Sequence, residues 1–299
     1  MNIFPQTPFG PLVTAMVTPF KPDGAIDFAR VEQLTAHLIA NGSTGLVVAG
    51  TTGESPTLNP KEKLDLFRSV KSAAGKVPVI AGTGDNETSF SVDLSREAEK
   101  CGVDGLLLVV PYYNRPNQEG LYRHFKAIAE AVDLPCILYN VPSRTGRNME
   151  AATVARLSEI ENIAGIKEAG GDMVQVSRIR AATPADFWIY SGNDTDTLPM
   201  LPLGCCGVIA VLSHIAGPQM RQMMECFWEG DVASACELHL RLLPVCDALF
   251  PASAPNPIAV KAALQLQGLD CGGLRLPMVE ATADERESLR AAMQQAQLL

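Results

Sequence analysis

Two residues at the ends of short apolar runs carry the side chains best suited to chemistry. Tyr139 ends the run Pro135–Tyr139, and Lys167 directly follows the run Ile163–Ile166. A lysine held among apolar neighbours has a lowered pKa because desolvation disfavours its ammonium, and the neutral amine forms Schiff bases with carbonyl compounds. The alternative is a solvated lysine at a strand end, which is the commoner environment. The residues that accompany Lys167 favour the first interpretation.

The elements that must position these residues alternate regularly along the chain. Apolar runs of strand length are separated by stretches whose apolar residues have helical spacing. Eight runs are predicted as strands: Leu12–Val17, Gly45–Ala49, Val77–Ala81, Gly105–Val110, Pro135–Tyr139, Ile163–Ile166, Phe187–Tyr190 and Val208–Leu212. Eight strand-then-helix units predict an α/β protein whose parallel strands close into a (β/α)8 TIM barrel.

Helices are predicted between the strands and after the last of them. Those between the first strands are expected at Phe28–Ile39, Lys61–Val70, Ser89–Lys100 and Leu121–Ala131. Asn59, with Pro60 in the first turn, and Asn117 are predicted N-caps. The segment after residue 215 has helical spacing of Leu, Ala and Met around a loop at Pro251–Pro257. We therefore divide the chain into a catalytic barrel, residues 1–225, and a C-terminal helical region, residues 226–299.

Composition limits the class of protein. The 299 residues are 47% hydrophobic and 19% charged, enough apolar material for a large core. The net charge of −9 argues against a nucleic-acid partner, and no apolar stretch reaches the length of a membrane span. Met1–Pro11 lacks the pattern of a signal peptide. Eight scattered cysteines and four separated histidines predict reduced thiols and no metal site, so we expect a cytoplasmic protein without a cofactor.

Polar residues follow six of the predicted strands. In a parallel barrel, the C-terminal ends of the strands carry the active site. The polar segments there are Gly50–Ser55, Gly82–Gly84, Pro111–Asn114, Tyr139–Asn140, Lys167 and Ser191–Asn193. Glycines beside Thr51 and Thr52 would let backbone N–H groups approach an anion. Turn chemistry explains any one of these segments. Together, a buried lysine, hydroxyls for proton transfer and an arginine for a carboxylate indicate a class I aldolase.

Seven motifs resemble those of the dihydrodipicolinate synthase and N-acetylneuraminate lyase superfamily, and within it the synthases. They cover nearly the whole chain: Gly50–Ser55, Pro78–Gly84, Pro111–Pro116, Tyr139–Gly146, Gly165–Ala169, Asn256–Lys261 and Leu274–Met278. The first motif and the lysine motif are shared widely across the superfamily. Pro111–Pro116 together with Tyr139–Gly146 is more specific to the synthases, because the arginine in the second motif serves their second substrate.

The resemblance implies a reaction and the residues that carry it out. Pyruvate and L-aspartate 4-semialdehyde would condense to 4-hydroxy-tetrahydrodipicolinate, on the diaminopimelate route to lysine. Lys167 would form a Schiff base with pyruvate and turn its methyl group into an enamine nucleophile. Thr51, Tyr139 and Tyr113 would relay protons, and Tyr113 would reach into the active site of a neighbouring subunit. The family's usual assembly implies a homotetramer, a dimer of tight dimers.

The resemblance also implies the contacts to the substrates. Thr52 would hold the pyruvate carboxylate. Arg144 would bind the carboxylate of the semialdehyde through the paired donors of its guanidinium. The backbone carbonyls of Gly192 and Ile209 would lie near the lysine.

Other interpretations of the same residues remain open. Arg144 as a surface residue, Tyr113 as interface packing and Tyr139 as a core residue are ordinary roles. Two other functions are a pyruvate-dependent class I aldolase or lyase acting on a sugar acid or hydroxy-oxo acid, and a non-catalytic pyruvate-binding relative. The presence of Lys167 and the hydroxyl relay favours an enzyme. An arginine in the segment Ser143–Gly146 favours the synthase over the sugar-acid lyases.

A group of residues implied to bind an effector departs from the family pattern. Lysine-inhibited synthases bind L-lysine at a dimer interface, and this chain keeps three of the matching residues, Ser55, Asn86 and Tyr112. Pro60 and Lys63 stand where sensitive bacterial enzymes often carry histidines, and Phe90 stands where they carry a glutamate. Loss of that carboxylate leaves an ammonium of the effector unpaired, which is costly when the group is buried. We therefore expect weak or absent inhibition by L-lysine.

Overall fold

Eight parallel strands close into a barrel in the computed structural model, which describes residues 7–299. The strands follow the order of the sequence, and the first pairs with the last. They are β1 (Leu12–Ala15), β2 (Gly45–Val48), β3 (Val79–Gly82), β4 (Gly105–Val109), β5 (Cys136–Asn140), β6 (Ile163–Glu168), β7 (Trp188–Ser191) and β8 (Gly207–Ala210). The predicted (β/α)8 barrel is confirmed, and every predicted strand lies within two residues of its observed bounds.

The side chains of each strand serve two separate apolar clusters. Successive side chains of a strand point to opposite faces, so alternate residues turn into the barrel. Val47 of β2 belongs to the cluster inside the barrel, together with Ile80 and Ile137. Its neighbours Leu46 and Val48 pack outward against the helices. Burial on both faces explains why the strands are continuous apolar runs in the sequence.

Helices cover the outside of the barrel and continue beyond its last strand. They are α1 (Phe28–Ala40), α2 (Pro60–Ala74), α3 (Thr88–Lys100), α4 (Gln118–Ala129), α5 (Pro142–Thr145), α6 (Ala151–Leu157), α7 (Met173–Ala182), α8 (Thr197–Met200), α9 (Ser213–Glu229), α10 (Val232–Leu249), α11 (Ile258–Leu266) and α12 (Ala283–Gln295). Asn59 forms a capping box with Glu62, and the Asn117 side chain accepts a hydrogen bond from the backbone N–H of Gly120. Both predicted caps are confirmed.

The C-terminal part of the chain is helical, as the sequence predicts. Helix α10 packs along α9 and α12, and residues 250–257 connect it to α11, which confirms the predicted loop. The division between residues 225 and 226 stays a prediction. Residues 1–6 of the segment considered for a signal peptide lie outside the described residues. Over residues 7–299, no helix is both long and apolar enough to cross a membrane.

A buried ion pair fastens α11 to the loop after β2. The Glu54 carboxylate accepts a hydrogen bond from Lys261 Nζ at 2.8 Å and from the backbone N–H of Arg275 at 3.0 Å. Each side chain of the ion pair is 2% exposed, so removing one partner would leave an uncompensated buried charge. The loop that carries Thr51 and Thr52 is therefore held from the C-terminal region.

Candidate active site

The pairing of β5 with β6 brings the tyrosine and the lysine together. Tyr139 and Lys167 are Cα partners in this parallel ladder, and both side chains are buried. The Lys167 Nζ lies 4.4 Å from the centroid of the Tyr139 ring. Ile166, the neighbour of Lys167, packs in the outer cluster, so the lysine itself points into the barrel. An amine and a phenol thus share the inner face at the C-terminal ends of two adjacent strands.

Burial changes the protonation equilibrium of the Lys167 amine. The side chain is 5% exposed, and desolvation lowers its pKa to about 8. The positive charge of Arg144 lowers this pKa further, while the negative charge of Asp194 raises it. With a pKa of about 8, roughly a tenth of the amine is neutral at pH 7, against fewer than about one in a thousand for an unperturbed lysine.

The Tyr139 phenol stays protonated in the same environment. Burial raises its pKa, while the charge of Arg144 and hydrogen bonding with the Thr51 hydroxyl oppose the rise. A protonated phenol beside a partly neutral amine can donate a proton to a group that forms on that amine. The arrangement therefore suits imine chemistry.

Asp194 is a member of the site that the sequence analysis missed. Its buried carboxylate accepts hydrogen bonds from the backbone N–H groups of Val211, at 3.2 Å, and Leu212, at 2.9 Å. Burial raises its pKa to about 6, and those hydrogen bonds and the Lys167 charge oppose the rise. At neutral pH the group is therefore mostly ionised. The signal in the sequence was its place directly after the polar segment Ser191–Asn193.

Six of the eight predicted site residues border one cavity of about 150 Å³. They come from the ends of four strands, namely Thr51, Thr52, Tyr139, Arg144, Lys167 and Gly192. A neighbouring cavity of about 210 Å³ shares Thr51, Tyr139 and Arg144 with the first. The two cavities therefore adjoin each other at these residues, and their volumes together suit two small substrates.

The two threonines lie in a tight turn after β2. The backbone N–H of Gly53 donates to the Gly50 carbonyl at 3.1 Å, and that of Glu54 donates to the Thr51 carbonyl at 3.1 Å. The Thr52 side chain is buried, and its Oγ1 accepts a hydrogen bond from Asn256 Nδ2 at 2.9 Å. Asn256 lies in a motif that the sequence analysis singled out without giving the residue a role.

Arg144 lies in the short helix α5 and borders both cavities. Within residues 7–299, its guanidinium has no ion-pair partner. Its charge acts on both partners in the barrel, since it lowers the pKa of Lys167 and that of Tyr139. An unpaired guanidinium on the cavity wall is suited to binding a carboxylate.

Gly192 holds the ends of β6 and β7 close together. Its backbone N–H donates to the Glu168 carbonyl at 2.7 Å. A Cβ at this position would lie 2.6 Å from the Ala169 Cβ, a distance that no side chain tolerates. Only glycine therefore permits this approach. Ile209 lies in β8 and packs in the cluster inside the barrel, and it does not border this cavity.

Tyr113 does not join the other predicted site residues within one chain. Its side chain is 91% exposed, and its backbone is left-handed, with φ of 72°. The preceding Tyr112 turns inward instead, and its hydroxyl donates to Asp85 at 3.1 Å. A catalytic role for Tyr113 therefore requires a second subunit.

Among residues 7–299, no three or more His, Cys, Asp or Glu side chains are arranged to hold a metal ion. The eight cysteines are unpaired, and five of them are buried, namely Cys136, Cys205, Cys206, Cys246 and Cys271.

The fold and the site together are those of a (β/α)8-barrel enzyme with a buried lysine amine near the end of a strand. The chain belongs to the Dihydrodipicolinate synthetase family, whose pattern matches residues 8–296. It is 56% identical over 292 residues to 4-hydroxy-tetrahydrodipicolinate synthase of Moorella thermoacetica, a match that covers 97% of this chain and 99% of the relative. As a member of this family, the chain is a lyase.

Solved structures of dihydrodipicolinate synthases also superpose on this chain. The dihydrodipicolinate synthase of Cyanidioschyzon merolae, crystallised with lysine bound, superposes with a TM-score of 0.96 at 48% identity, over 98% of this chain and 100% of that one. A monomeric dihydrodipicolinate synthase variant superposes with a TM-score of 0.94 at 43% identity, over 97% of this chain and 98% of the variant. The family therefore includes a chain that does not assemble.

Proposed function

We infer that this chain condenses pyruvate with L-aspartate 4-semialdehyde to give 4-hydroxy-tetrahydrodipicolinate, a step of diaminopimelate and lysine biosynthesis. Relatives with the corresponding name match it at 56% identity over almost their whole length. The observation that carries the mechanism is the buried Lys167 amine beside Tyr139, with the unpaired Arg144 on the same cavity wall. The sugar-acid lyase and the non-catalytic relative are not favoured.

The reaction begins at the Lys167 amine. The neutral amine attacks the ketone carbon of pyruvate, and loss of water gives a protonated imine. The imine draws electrons from the adjacent methyl group, which loses a proton and becomes an enamine. The enamine carbon then attacks the aldehyde of the second substrate. The amino group of that substrate finally attacks the imine carbon, closes the ring and releases Lys167 as the free amine.

The neighbouring residues bind the substrates and move the protons. Tyr139 and Thr51 would carry protons to and from the forming imine, since their hydroxyls interact beside Lys167. Thr52 would hold the pyruvate carboxylate. Arg144 would hold the carboxylate of the semialdehyde and so select this aldehyde over sugar-derived ones. The backbone carbonyls of Gly192 and Ile209 would also lie near Lys167.

The proposed assembly is a homotetramer built from two tight dimers. In a tight dimer, the exposed Tyr113 would complete the proton relay of the neighbouring subunit. The exposure of its ring and the left-handed backbone that projects it support this role. The division of the chain at residue 225 and the cytoplasmic location are further proposals, drawn from the sequence pattern and composition.

A coupled assay that varies the aldehyde tests the proposed function. Pyruvate is held constant while L-aspartate 4-semialdehyde is compared with sugar-derived and hydroxy-oxo aldehydes. We expect the semialdehyde to give the highest kcat/KM by at least roughly a hundredfold, because it alone pairs a carboxylate with Arg144 at the correct spacing. A higher kcat/KM for a sugar-derived aldehyde would assign the chain to the sister aldolases.

A further inference from the structure

Asn256 contacts a proposed substrate-binding residue although it has no assigned role. Its Nδ2 donates to Thr52 Oγ1 at 2.9 Å, and both side chains are buried. Both also border the cavity that contains Lys167. The ion pair between Glu54 and Lys261 holds the same two segments together a few residues away. The fold therefore holds the two segments that carry this contact together.

The direction of this hydrogen bond determines what Thr52 can bind. A threonine hydroxyl has one proton and two lone pairs, and an amide nitrogen can only donate. Because Asn256 Nδ2 occupies a lone pair of Thr52 Oγ1, the hydroxyl proton must point elsewhere. Within residues 7–299, no acceptor is hydrogen-bonded to this hydroxyl, so its proton is free to point into the cavity.

The Asn256 amide has no other side-chain hydrogen-bond partner among residues 7–299. Its Oδ1 is buried and has no hydrogen-bond partner among residues 7–299. The bond to Thr52 is thus the one side-chain hydrogen bond of Asn256 in this part of the chain. Rotation of the amide by half a turn would place Oδ1 against Thr52, and the threonine would then donate its proton to Asn256. The hydroxyl could no longer donate to an anion.

We propose that Asn256 is a positioning residue that holds the Thr52 hydroxyl as a donor toward the carboxylate of bound pyruvate. The inference rests on the proposed function, since it takes the cavity at Lys167 as the pyruvate site. A carboxylate accepts hydrogen bonds and cannot donate them, so a hydroxyl fixed as a donor favours it over a neutral ligand. Asn256 therefore acts on the affinity for 2-oxo acids and not on the chemistry at Lys167.

Two substitutions of Asn256 test whether the direction of its hydrogen bond with Thr52 matters, or only the presence of a contact. Asn256→Ala removes the amide and lets the Thr52 hydroxyl rotate freely. Asn256→Asp keeps the shape but turns the partner into an acceptor, which takes the threonine proton and adds a negative charge near that of the substrate. The readout is the pyruvate concentration that half-saturates borohydride trapping on Lys167, together with kcat. We expect this concentration to rise roughly tenfold for Asn256→Ala and roughly a hundredfold for Asn256→Asp, with kcat changed less than about threefold.

A double-mutant cycle tests whether Asn256 acts through Thr52. Thr52→Val removes the hydroxyl while keeping the side-chain shape. In this background, Asn256→Ala should change the half-saturating pyruvate concentration by less than about twofold, because the group it orients is gone. Thr52→Ser keeps a hydroxyl and should keep the sensitivity to Asn256. Additive effects in the Thr52→Val background would overturn the proposal.

Gln267→Ala provides the matched control. The Gln267 amide also lies in the C-terminal region, and it donates to the carbonyls of Ile215, at 3.2 Å, and Leu298, at 3.1 Å. This substitution should leave the half-saturating pyruvate concentration unchanged. Thermal unfolding of every variant identifies losses of fold, and Asn256→Asp, which conserves shape, replaces Asn256→Ala if the latter does not fold.

The outcomes distinguish this inference from the proposed function. If pyruvate cannot be trapped on Lys167 of the unaltered enzyme, both the proposed function and the inference fail. If trapping is normal and both Asn256 variants half-saturate at the pyruvate concentration of the unaltered enzyme, the inference alone fails. A fall in kcat with no change in half-saturation would also overturn it, because a residue that orients a binding group acts on affinity.

Discussion

Lys167 Nζ lies 4.4 Å from the centroid of the Tyr139 ring because the two residues are direct partners across β5 and β6. The register of the parallel ladder places the two Cα atoms opposite each other, so neither residue depends on a loop for its position. Sites built on strands hold their geometry more closely than sites built on loops. The amine and the phenol can therefore stay in place while the groups that bind the substrates adjust around them.

Pyruvate and borohydride should together label Lys167. Reduction of the imine leaves a stable adduct, visible as a mass increase on the peptide that carries this residue. Lys167→Ala should abolish the label, since the nucleophile is gone. Lys261 is the matched control within the same chain, because it is also a buried lysine but is paired with Glu54. Labelling of Lys261, or of no lysine, would contradict the assigned mechanism.

The rate of imine formation should depend on pH with a midpoint near 8. The pKa of Lys167 is lowered to about 8, and the neutral amine is the reactive form. The rate should therefore fall about tenfold for each pH unit below the midpoint and level off above it. Initial trapping rates at subsaturating pyruvate, measured from pH 6 to about pH 10, provide the profile.

Substitutions of the two charges near Lys167 should move this midpoint in opposite directions. Asp194 raises the Lys167 pKa, so Asp194→Asn should shift the midpoint to lower pH. Arg144 lowers it, so Arg144→Ala should shift the midpoint to higher pH. A profile that still climbs at pH 10 in the unaltered enzyme would mean that the lysine is not desolvated.

Arg144→Ala should separate binding of the second substrate from imine formation. The Arg144 guanidinium borders the cavity, and its effect on Lys167 is limited to the pKa of that amine. Loss of a charge-assisted contact to a carboxylate costs about 2–3 kcal/mol, so kcat/KM for the semialdehyde should fall roughly a hundredfold while the extent of trapping by saturating pyruvate is kept. Arg178→Ala, at an exposed arginine on α7, is the control and should have no effect. Equal losses of trapping and turnover would make Arg144 a structural residue.

Mixing two inactive variants tests whether Tyr113 works in a neighbouring subunit. Tyr113→Phe should lose most of its activity because the relay loses a hydroxyl, although the ring is 91% exposed in the single chain. A mixed dimer with Lys167→Ala contains one site with an intact lysine and an intact tyrosine from the partner. Subunit exchange should therefore restore up to roughly a quarter of the normal activity. Two results would contradict this role of Tyr113. One is no recovery of activity after confirmed subunit exchange, and the other is a fully active monomer in sedimentation.

L-lysine should inhibit the enzyme weakly or not at all. Phe90 stands where the implied effector site lacks its carboxylate, and the buried Lys63 Nζ lies 5.9 Å from the Phe90 ring centroid, so a like charge lies near the effector ammonium. An unpaired buried charge costs several kcal/mol, which raises an inhibition constant by orders of magnitude. A lysine titration of the steady-state rate should give half-inhibition above the millimolar range. Phe90→Glu supplies the missing carboxylate and should increase sensitivity; strong inhibition of the unaltered enzyme would contradict the prediction.

The strands and helices of this protein could be predicted from the sequence because the residue patterns that indicate them are local. A parallel strand buried on both faces is a short apolar run, and a helix repeats its apolar residues every three to four positions. Caps such as Asn59 act within three residues of their own position. The place of Lys167 at the end of such a run, followed by its polar neighbours, was enough to predict a site at the C-terminal ends of the strands.

Which side chains meet in that site was decided by the tertiary structure. Asn256 and Thr52 are 204 residues apart, and no local pattern reports a hydrogen bond across that distance. Asp194 acquires its effect on Lys167 only because the barrel buries both groups together, where each charge is poorly screened. The inward turn of Tyr112 and the outward turn of Tyr113 depend in the same way on backbone conformation and on contacts with Asp85, a residue of another loop. Closure of the barrel brings these distant segments together and causes the desolvation that lowers the pKa of Lys167.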